Sequence, residues 1–315
     1  MDRTQWNHFV LEHGPRSGRF LQSWEWGEFQ KVTGESVRRE EIHHDGKRVG
    51  IAQWLDRRLL VGTYSFCPKG PIRLLRSNVP LSGSGKMFLR IEPSDSKLVA
   101  GARKTINLSP AHTRITNLLM NEEKLLAAMH PKTRYNIRVA QKREVKIQIE
   151  SSDFESVWPL FEQTSLRRSF RLHQKTYYHK MLESLKERSC HAFLATASYE
   201  NHLLAANIMI DFGDTRTYLH GASSNEHRHF MAPYLLHWEL MRDAKERGVR
   251  FYDWWGVAPL DAPDNHPWFG ISRFKRGFPG VEYASPGTYD LVFKPRPYHL
   301  YQLGRLLIRI VHRYV

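Results

Sequence analysis

The order of helices and strands in the second half of the chain restricts its fold more than any other feature. Apolar periodicity predicts helices at 153–165, 174–186 and 232–248, and strands at 192–199, 203–212, 217–223 and 250–256. The third helix has Pro233 in its first turn and Gly248 at its end, which are typical helix boundaries. Three strands in succession predict an antiparallel meander, so we expect a mixed sheet flanked by helices.

The first half predicts a second, smaller α/β unit. Ser23 is a candidate N-cap within a helix over 20–30, in which Trp26 and Phe29 lie on one face. Strand-like runs follow at 49–55, 60–67 and 87–92, separated by turns rich in Gly, Pro and Ser. The polar segment 94–110 has little periodicity and predicts a domain boundary at or just after it. We therefore expect one domain in 1–112, completed by a C-terminal helix at 291–315, and another in 113–290.

The charge balance indicates a polyanionic partner. The chain has 47 Lys and Arg against 32 Asp and Glu, a net charge of +15. Nucleic acid, a nucleotide or an anionic membrane surface would each suit that charge. Cys67 and Cys190 are the only cysteines, which argues against a disulfide scaffold and favours a reducing cytosol. No Cys/His spacing typical of zinc sites occurs, so we expect no structural metal.

The two ends of the chain differ in character. The N-terminal residues lack the apolar core of a secretory signal, and no run of eighteen apolar residues predicts a membrane span. The C-terminal residues predict a basic amphipathic helix, with an apolar row and interleaved arginines: Leu300, Leu303, Leu307, Ile310, Tyr314, Arg305, Arg309 and Arg313. Packing on the protein is the favoured interpretation of this helix, and contact with anionic lipid is the alternative.

The predicted order of elements is that of the acyltransferase fold that usually binds acyl-coenzyme A. That fold holds the pyrophosphate in a glycine-containing turn at the amino end of its long helix, where backbone N–H groups meet anionic oxygens. The equivalent stretch here, 225–233, contains no glycine. The fold is therefore expected without its coenzyme site.

Four motifs in order resemble those of the FemABX family of peptidoglycan peptidyltransferases. They are His130–Arg138, Ala232-Pro-Tyr234, Phe251–Gly256 and the pair Phe274-Lys275. The resemblance implies two tandem GNAT-like acyltransferase domains, of fold class α/β (α+β), without a cofactor. It also implies transfer of an amino acid from aminoacyl-tRNA onto the stem peptide of a UDP-linked or lipid-linked muramyl peptide precursor. No extended heptad run occurs in the second domain, so the chain resembles the shorter members that lack a coiled-coil arm.

Phe274 and Lys275 are the first candidates for the catalytic site. An aromatic ring offers a face to a base or sugar, and a lysine offers a compact charge to phosphate. The neighbouring Gly277, Pro279 and Gly280 predict an exposed loop. The resemblance places the pair beside the terminal adenosine and the aminoacyl ester, where lysine can help to hold the ester carbonyl; core packing of Phe274 is the alternative.

A basic helix upstream is a candidate surface for tRNA. Its cations recur every two to four residues and gather along one side: Lys132, Arg134, Arg138, Lys142 and Arg143. Glu144 is the single acid of the segment, so an RNA phosphate track is a suitable partner. A solvated helix face is the alternative.

The first domain holds the candidates for the acceptor. Glu92 resembles the family's acid at a strand end, which implies that it orients or deprotonates the attacking amine; a surface acid is the alternative. Lys69 lies on a matching turn near the acceptor cleft.

The family's diphosphate-binding residues match less well. The family's lysine aligns with Gln30, and Lys31 is the next residue here. The family's arginine aligns near His173, and the family's tyrosine is present as Tyr177. We expect the acceptor to contact Lys31, His173 and Tyr177.

Because the aminoacyl ester is already activated, we expect direct aminolysis without a covalent enzyme intermediate. The location implied is the cytoplasm, at the inner face of the plasma membrane, and the chain is expected to act as a monomer. Two other functions stay open: an acyl-coenzyme A N-acyltransferase of the GNAT superfamily, and a non-catalytic protein that binds RNA or anionic lipid.

Overall fold

A computed structural model describes residues 1–74, 81–95, 99–168 and 171–314, with side chains described as far as residue 306. The helices are α1 (Arg3–His13), α2 (Trp24–Val32), α3 (Glu122–Ala127), α4 (Pro131–Lys142), α5 (Phe154–Arg168), α6 (Lys175–Ser184), α7 (Ala232–Glu246), α8 (Phe269–Arg276) and α9 (Pro295–Tyr314). The strands are β1 (Ser36–His44), β2 (Lys47–Leu59), β3 (Gly62–Cys67), β4 (Ile72–Arg73), β5 (Phe88–Ile91), β6 (Arg103–Lys104), β7 (His112–Asn117), β8 (Lys146–Ser151), β9 (Lys186–Glu187), β10 (Cys190–Tyr199), β11 (His202–Phe212), β12 (Thr215–Ser223), β13 (Phe251–Gly256), β14 (Val281–Ala284) and β15 (Tyr289–Val292).

The chain forms two compact units, each with a mixed sheet. The first unit comprises Met1–Ala111 and Ser285–Val315, and the second comprises His112–Ala284. The strand order is β1-β2-β3-β5-β15-β6 in the first, with β4 on β2, and β14-β7-β13-β12-β11-β10-β8 in the second, with β9 on β10. Among the described strands, β3 with β5 and β12 with β13 are the parallel pairs. The predicted class of mixed sheets flanked by helices is confirmed.

The start of the first unit follows its local sequence closely. Ser23 Oγ accepts a hydrogen bond from Trp26 N at 3.1 Å, so the predicted N-cap is confirmed. Trp26 and Phe29 are buried, with ring centroids 5.0 Å apart. The helix is shorter than predicted, because a 3-10 turn over Arg19–Gln22 precedes the cap.

Helix α9 packs on the first unit through tyrosines. Tyr298 is buried, and the Tyr301 ring lies 5.1 Å from Phe88 of β5. The predicted packing of this helix is therefore confirmed, but its contact face is not the leucine row. Leu300 and Leu303 are 58% and 56% exposed. The predicted Leu307, Ile310, Tyr314, Arg309 and Arg313 contacts fall outside the described side chains.

A buried ion pair lies beneath α9. Arg90 of β5 donates two hydrogen bonds to Asp290 of β15, at 2.7 and 2.8 Å, and both side chains are almost fully buried. The Tyr298 hydroxyl donates to the same carboxylate at 3.1 Å, and Arg90 also donates to the Tyr301 hydroxyl at 3.2 Å. Since each nitrogen of the guanidinium donates a hydrogen bond, this network ties two strands and the helix together.

The second unit contains the predicted meander of β10, β11 and β12 and the long helix α7. Leu236, Leu240 and Ala244 of α7 are fully buried, and Gly248 ends the turn with a φ of 78°, as a glycine can do without strain. Arg216 of β12 donates to Leu240 O at 2.9 Å, which ties the sheet to the helix.

The prediction of an exposed loop in this unit is wrong. The segment around Phe274 and Lys275 is the helix α8, not a loop. Gly277 and Pro279 lie just after that helix, so these residues end it and do not hold the pair in an exposed turn.

Candidate active site

The parallel pair of the second unit stops early. Strands β12 and β13 pair over three positions, and the last joins Thr217 to Asp253. Just beyond, β13 bulges at Trp255, whose φ of 58° is unusual for a bulky residue. Asp253 Oδ1 accepts from Trp255 N at 2.9 Å and from Thr113 Oγ1 at 2.5 Å, which stabilises the bulge. The ladder between β12 and β13 thus ends before Trp254 and Gly256.

Lys275 of α8 hydrogen-bonds two backbone carbonyls of β13. Its Nζ donates to Trp254 O at 2.6 Å and to Gly256 O at 2.8 Å, and lies 5.1 Å from the centroid of the Tyr218 ring of β12. The side chain is 6% exposed. The expectation of an exposed charge for phosphate is thus wrong, because the bulge creates buried acceptors that no local pattern reveals.

Burial lowers the pKa of Lys275 from 10.5 to about 7, and the nearby Asp253 carboxylate opposes that shift. A lysine that titrates near neutral pH can release a proton and take it back at little energetic cost. Strongly shifted side chains are concentrated at catalytic sites, so the geometry supports Lys275 as the chemical centre of this unit.

The free energy of unfolding is expected to rise with pH because the pKa of Lys275 is lowered in the folded protein. Its folded-state pKa is about 7 and its ordinary pKa is 10.5, so between these values the unfolded chain binds more protons. The slope is at most about 1.4 kcal/mol per pH unit, and it vanishes below about pH 7, where both states are protonated. Urea unfolding of the wild type and Lys275→Met across this range checks it. Parallel profiles for the two proteins would contradict the shift.

Phe274 belongs to an aromatic wall beside Lys275. Its ring centroid lies 4.9 Å from Tyr234, 5.5 Å from His237 and 5.6 Å from Phe278. The ring is half-buried against the core, so the packing alternative is confirmed for part of its surface. His237 hydrogen-bonds the Tyr252 hydroxyl at 2.7 Å, and burial, with the Lys275 charge, holds its pKa well below its usual value.

Sequence reasoning missed the groups that surround Lys275. These are Tyr218, Asp253, Trp255 and His237. The Phe251–Gly256 motif contained two of them, but an aromatic run with one acid does not show that the strand bulges.

The basic helix α4 lies next to α8. His130 N donates to Gly277 O at 2.9 Å, and a side chain at Gly277 would collide with Thr133 Oγ1. The structure therefore brings the two predicted segments together. Lys132, Arg138 and Lys142 are exposed on α4.

Arg134 is the exception on this helix. Its guanidinium donates to the terminal carbonyls of α3, including Ala127 O at 3.2 Å and Met129 O. A cation at a helix C-terminus stabilises that end of the helix. These bonds give Arg134 a structural role, and its expected phosphate contact stays a prediction.

Glu92 and Lys69 follow the parallel strands of the first unit, β5 and β3. Glu92 is 5% exposed, so the interpretation as a surface acid is wrong. Its carboxylate accepts from Ser109 N at 2.8 Å, Thr288 Oγ1 at 2.9 Å and Lys69 N at 3.1 Å. Lys69 Nζ donates to Pro110 O at 2.6 Å. In open α/β sheets ligands bind at the carboxyl ends of strands, where both residues lie.

The remaining acceptor candidates belong to different units. Lys31 of the first unit is exposed and pairs with Glu28 at 2.9 Å. In the second unit the exposed His173 ring stacks on Tyr177 at 4.1 Å and 18°. The part of the chain that the structure describes contains no group of three or more His, Cys, Asp or Glu that could hold a metal ion.

The segment before α7 lacks the shape of a pyrophosphate turn. It forms a 3-10 turn over Arg228–Phe230, and Met231 with a φ of 55° caps the helix without a side-chain hydrogen bond. Bulky side chains stand where glycines would allow close approach of a ligand.

Solved structures share the fold of this chain. The crystal structure of FemX superposes with a TM-score of 0.81 at 19% identity, covering 95% of this chain and 98% of that one. A tandem GNAT protein from the clavulanic acid biosynthesis pathway superposes with a TM-score of 0.53 at 14% identity, covering 92% and 94%. The fold is thus that of the tandem GNAT-like acyltransferases.

The chain belongs to the FemAB family, whose model matches residues 107–203 and 186–305. It is 21% identical over 393 residues to the lipid II:glycine glycyltransferase of Staphylococcus epidermidis, with coverage of 95% of this chain and 94% of the relative. The Staphylococcus aureus USA300 protein of the same description is 22% identical over 400 residues, with the same coverage. The FemABX resemblance is confirmed.

Proposed function

We propose that this protein transfers an amino acid from aminoacyl-tRNA to an amine on the stem peptide of a peptidoglycan precursor. Membership of the FemAB family and the glycyltransferase relatives support this reaction class. The relatives are described by their action on lipid II, which favours a lipid-linked acceptor over a UDP-linked one.

The placement of Lys275 carries the proposal. In the reaction the acceptor amine attacks the ester carbonyl, a C–N bond forms, the C–O bond to the ribose breaks, and the ribose hydroxyl leaves with a proton. A buried lysine with a pKa of about 7 can stabilise the developing oxyanion when it is charged and accept a proton when it is neutral. Phe274 beside it offers a ring face to the terminal base.

The segment before α7 favours a donor other than acyl-coenzyme A. Residues 225–231 contain no glycine, and bulky side chains fill the 3-10 turn. The exposed cations of α4, Lys132, Arg138 and Lys142, suit a nucleic acid instead.

The test is an assay with radiolabelled aminoacyl-tRNAs, each with the UDP-linked and the lipid-linked precursor, beside acetyl-coenzyme A as a rival donor. We expect product from a charged tRNA and no measurable heat of acetyl-coenzyme A binding in calorimetry. Transfer from acetyl-coenzyme A alone would establish the N-acyltransferase function. RNA binding without transfer from any donor would establish the non-catalytic one.

Helix α9 supports contact with an anionic membrane as a second property. Leu300, Leu303 and Leu306 form an exposed apolar row, 53–58% exposed, with Arg305 beside it. No helix in the described residues is long and apolar enough to cross a membrane. An apolar row flanked by arginines suits the surface of a bilayer rich in anionic lipid.

Replacing Leu300 and Leu303 together by glutamate is expected to weaken binding to phosphatidylglycerol vesicles about tenfold or more, because apolar burial is lost and like charge is added. The matched control replaces Leu166 and Leu260, which are 82% and 78% exposed in the second unit. Vesicle sedimentation measures both. Equal binding by the two double variants would assign α9 to packing alone.

A further inference from the structure

The loop Asn225–Phe230, which precedes α7, lies between two groups of arginines in the second unit. On one side Arg143, at the end of α4, donates its Nη1 to His229 O, and its guanidinium lies 5.5 Å from the Phe230 ring centroid. On the other side Arg167, at the end of α5, donates to Asn225. The loop therefore links the basic end of α4 to the basic end of α5.

The guanidiniums of Arg167 and Arg228 both donate to one neutral oxygen, Oδ1 of Asn225. Arg167 Nη1 donates to Asn225 Oδ1 at 2.5 Å, and Arg228 Nη2 donates to the same atom. The other bonds of Arg167 go to Ser223 and Thr164, which are also neutral. Its Nε is buried without a hydrogen-bond partner. An amide oxygen thus occupies a position that a carboxylate or phosphate oxygen would satisfy better.

The positive charge here is not balanced by neighbours. Burial lowers the pKa of Arg167, and the charges of Arg228 and Arg168 lower it further. Within the described residues, Arg167, Arg168 and Arg228 form no ion pair with a carboxylate. Like charges held this close repel each other, so a bound anion would stabilise the arrangement.

Aromatic rings of the same loop lie beside Arg143. Phe230 is half-buried and lies 4.6 Å from both Tyr199 and His229, and the His227 ring lies 6.0 Å from it. His227 in turn lies 5.0 Å from His202. Guanidiniums that bind phosphate, next to rings on which bases stack, are typical of surfaces for single-stranded nucleic acid.

We propose that the loop Asn225–Phe230, with Arg167 and Arg143, binds the single-stranded acceptor end of the donor RNA. Arg167 and Arg228 take a backbone phosphate, and the rings around Phe230 take a base. The exposed Lys142 and Arg138 of α4 continue the track towards the duplex. This inference rests on the proposed use of aminoacyl-tRNA and assigns it a contact surface outside the aromatic–lysine pair.

The test is fluorescence anisotropy with a labelled RNA minihelix that carries a single-stranded 3′ extension, beside the same duplex without the extension. Arg228→Gln is expected to weaken binding of the extended RNA about tenfold. It should also reduce the slope of log affinity against log salt by about 0.7, since one phosphate contact is lost. The blunt duplex should bind both proteins equally.

The matched control is Arg188→Gln, which removes an exposed arginine elsewhere in the same unit and should leave binding unchanged. Glu226→Gln removes the acid of the loop and should tighten binding of the extended RNA. Arg228 is exposed, and equal thermal unfolding of the variants verifies that each is folded.

Two results would overturn the inference: equal binding by Arg228→Gln and Arg188→Gln, or an equal loss with the blunt duplex. If charged tRNA still supports transfer in those cases, the proposed function stands and this surface falls. If the wild type uses no charged tRNA at all, the proposed function fails with it.

Discussion

Lys275→Met is expected to lower the single-turnover rate of aminoacyl transfer about a hundredfold or more. Methionine keeps the length of the side chain but removes both the charge and the proton. Rates at saturating charged tRNA isolate the chemical step, and the dependence on tRNA concentration reports binding separately. Lys275→Arg is expected to recover only part of the rate, because a planar guanidinium is too large for a site that is 6% exposed.

A structural role must be separated from a chemical one, because Lys275 also satisfies Trp254 O and Gly256 O. Leaving these carbonyls without a donor is expected to lower stability by about 1–3 kcal/mol, which thermal unfolding measures. The control is Arg273→Met, on the exposed face of the same helix. Full activity of Lys275→Met would remove this lysine from the chemistry and weaken the transferase proposal.

Asp290→Ala is expected to lower the free energy of unfolding by about 3–5 kcal/mol. The change leaves Arg90 buried and charged without its carboxylate, and it frees the Tyr298 hydroxyl. Urea denaturation is the measurement. Since α9 contacts the sheet through Tyr298, we also expect the far-ultraviolet circular dichroism to show partial loss of helix.

The comparison for this variant is Lys31→Ala, which breaks a pair with Glu28 that is nearly half exposed and leaves the Arg39–Glu28 pair in place. Such exposed pairs contribute about 1 kcal/mol or less. Replacing both Arg90 and Asp290 by leucine should recover much of the lost stability, because no buried charge then remains. A loss for Asp290→Ala no larger than for Lys31→Ala would mean that water reaches the Arg90–Asp290 pair.

Local rules account for the elements that were predicted correctly. Ser23 caps α2 because its hydroxyl reaches a backbone N–H three residues later. Pro233 and Gly248 bound α7 through their own backbone preferences. Strand β1 was missed because its sequence, Ser-Val-Arg-Arg-Glu-Glu-Ile-His-His, has little apolar alternation.

Local patterns did not reveal the partners of a side chain that can reach several groups. Arg134 has the spacing of a phosphate contact, and that spacing did not show that it also reaches a carbonyl at the end of α3. Glu92 has the position of a surface acid, but Ser109 and Thr288 bring donors from distant parts of the chain. Hydrogen bonds of this kind depend on how elements meet, which spacing does not encode.

The amino-acid sequence was sufficient to predict the fold class and the FemABX resemblance, because both depend on residue order and local conformational preference. It also proposed the aromatic–lysine pair Phe274-Lys275, but the chemical state of that pair was not accessible from residue order. It depends on a bulge at Trp255 that leaves two carbonyls of β13 for Lys275, and on the removal of the amine from water. Solvation and long-range hydrogen bonding set the pKa of a lysine, and both arise only when β12, β13 and α8 come together.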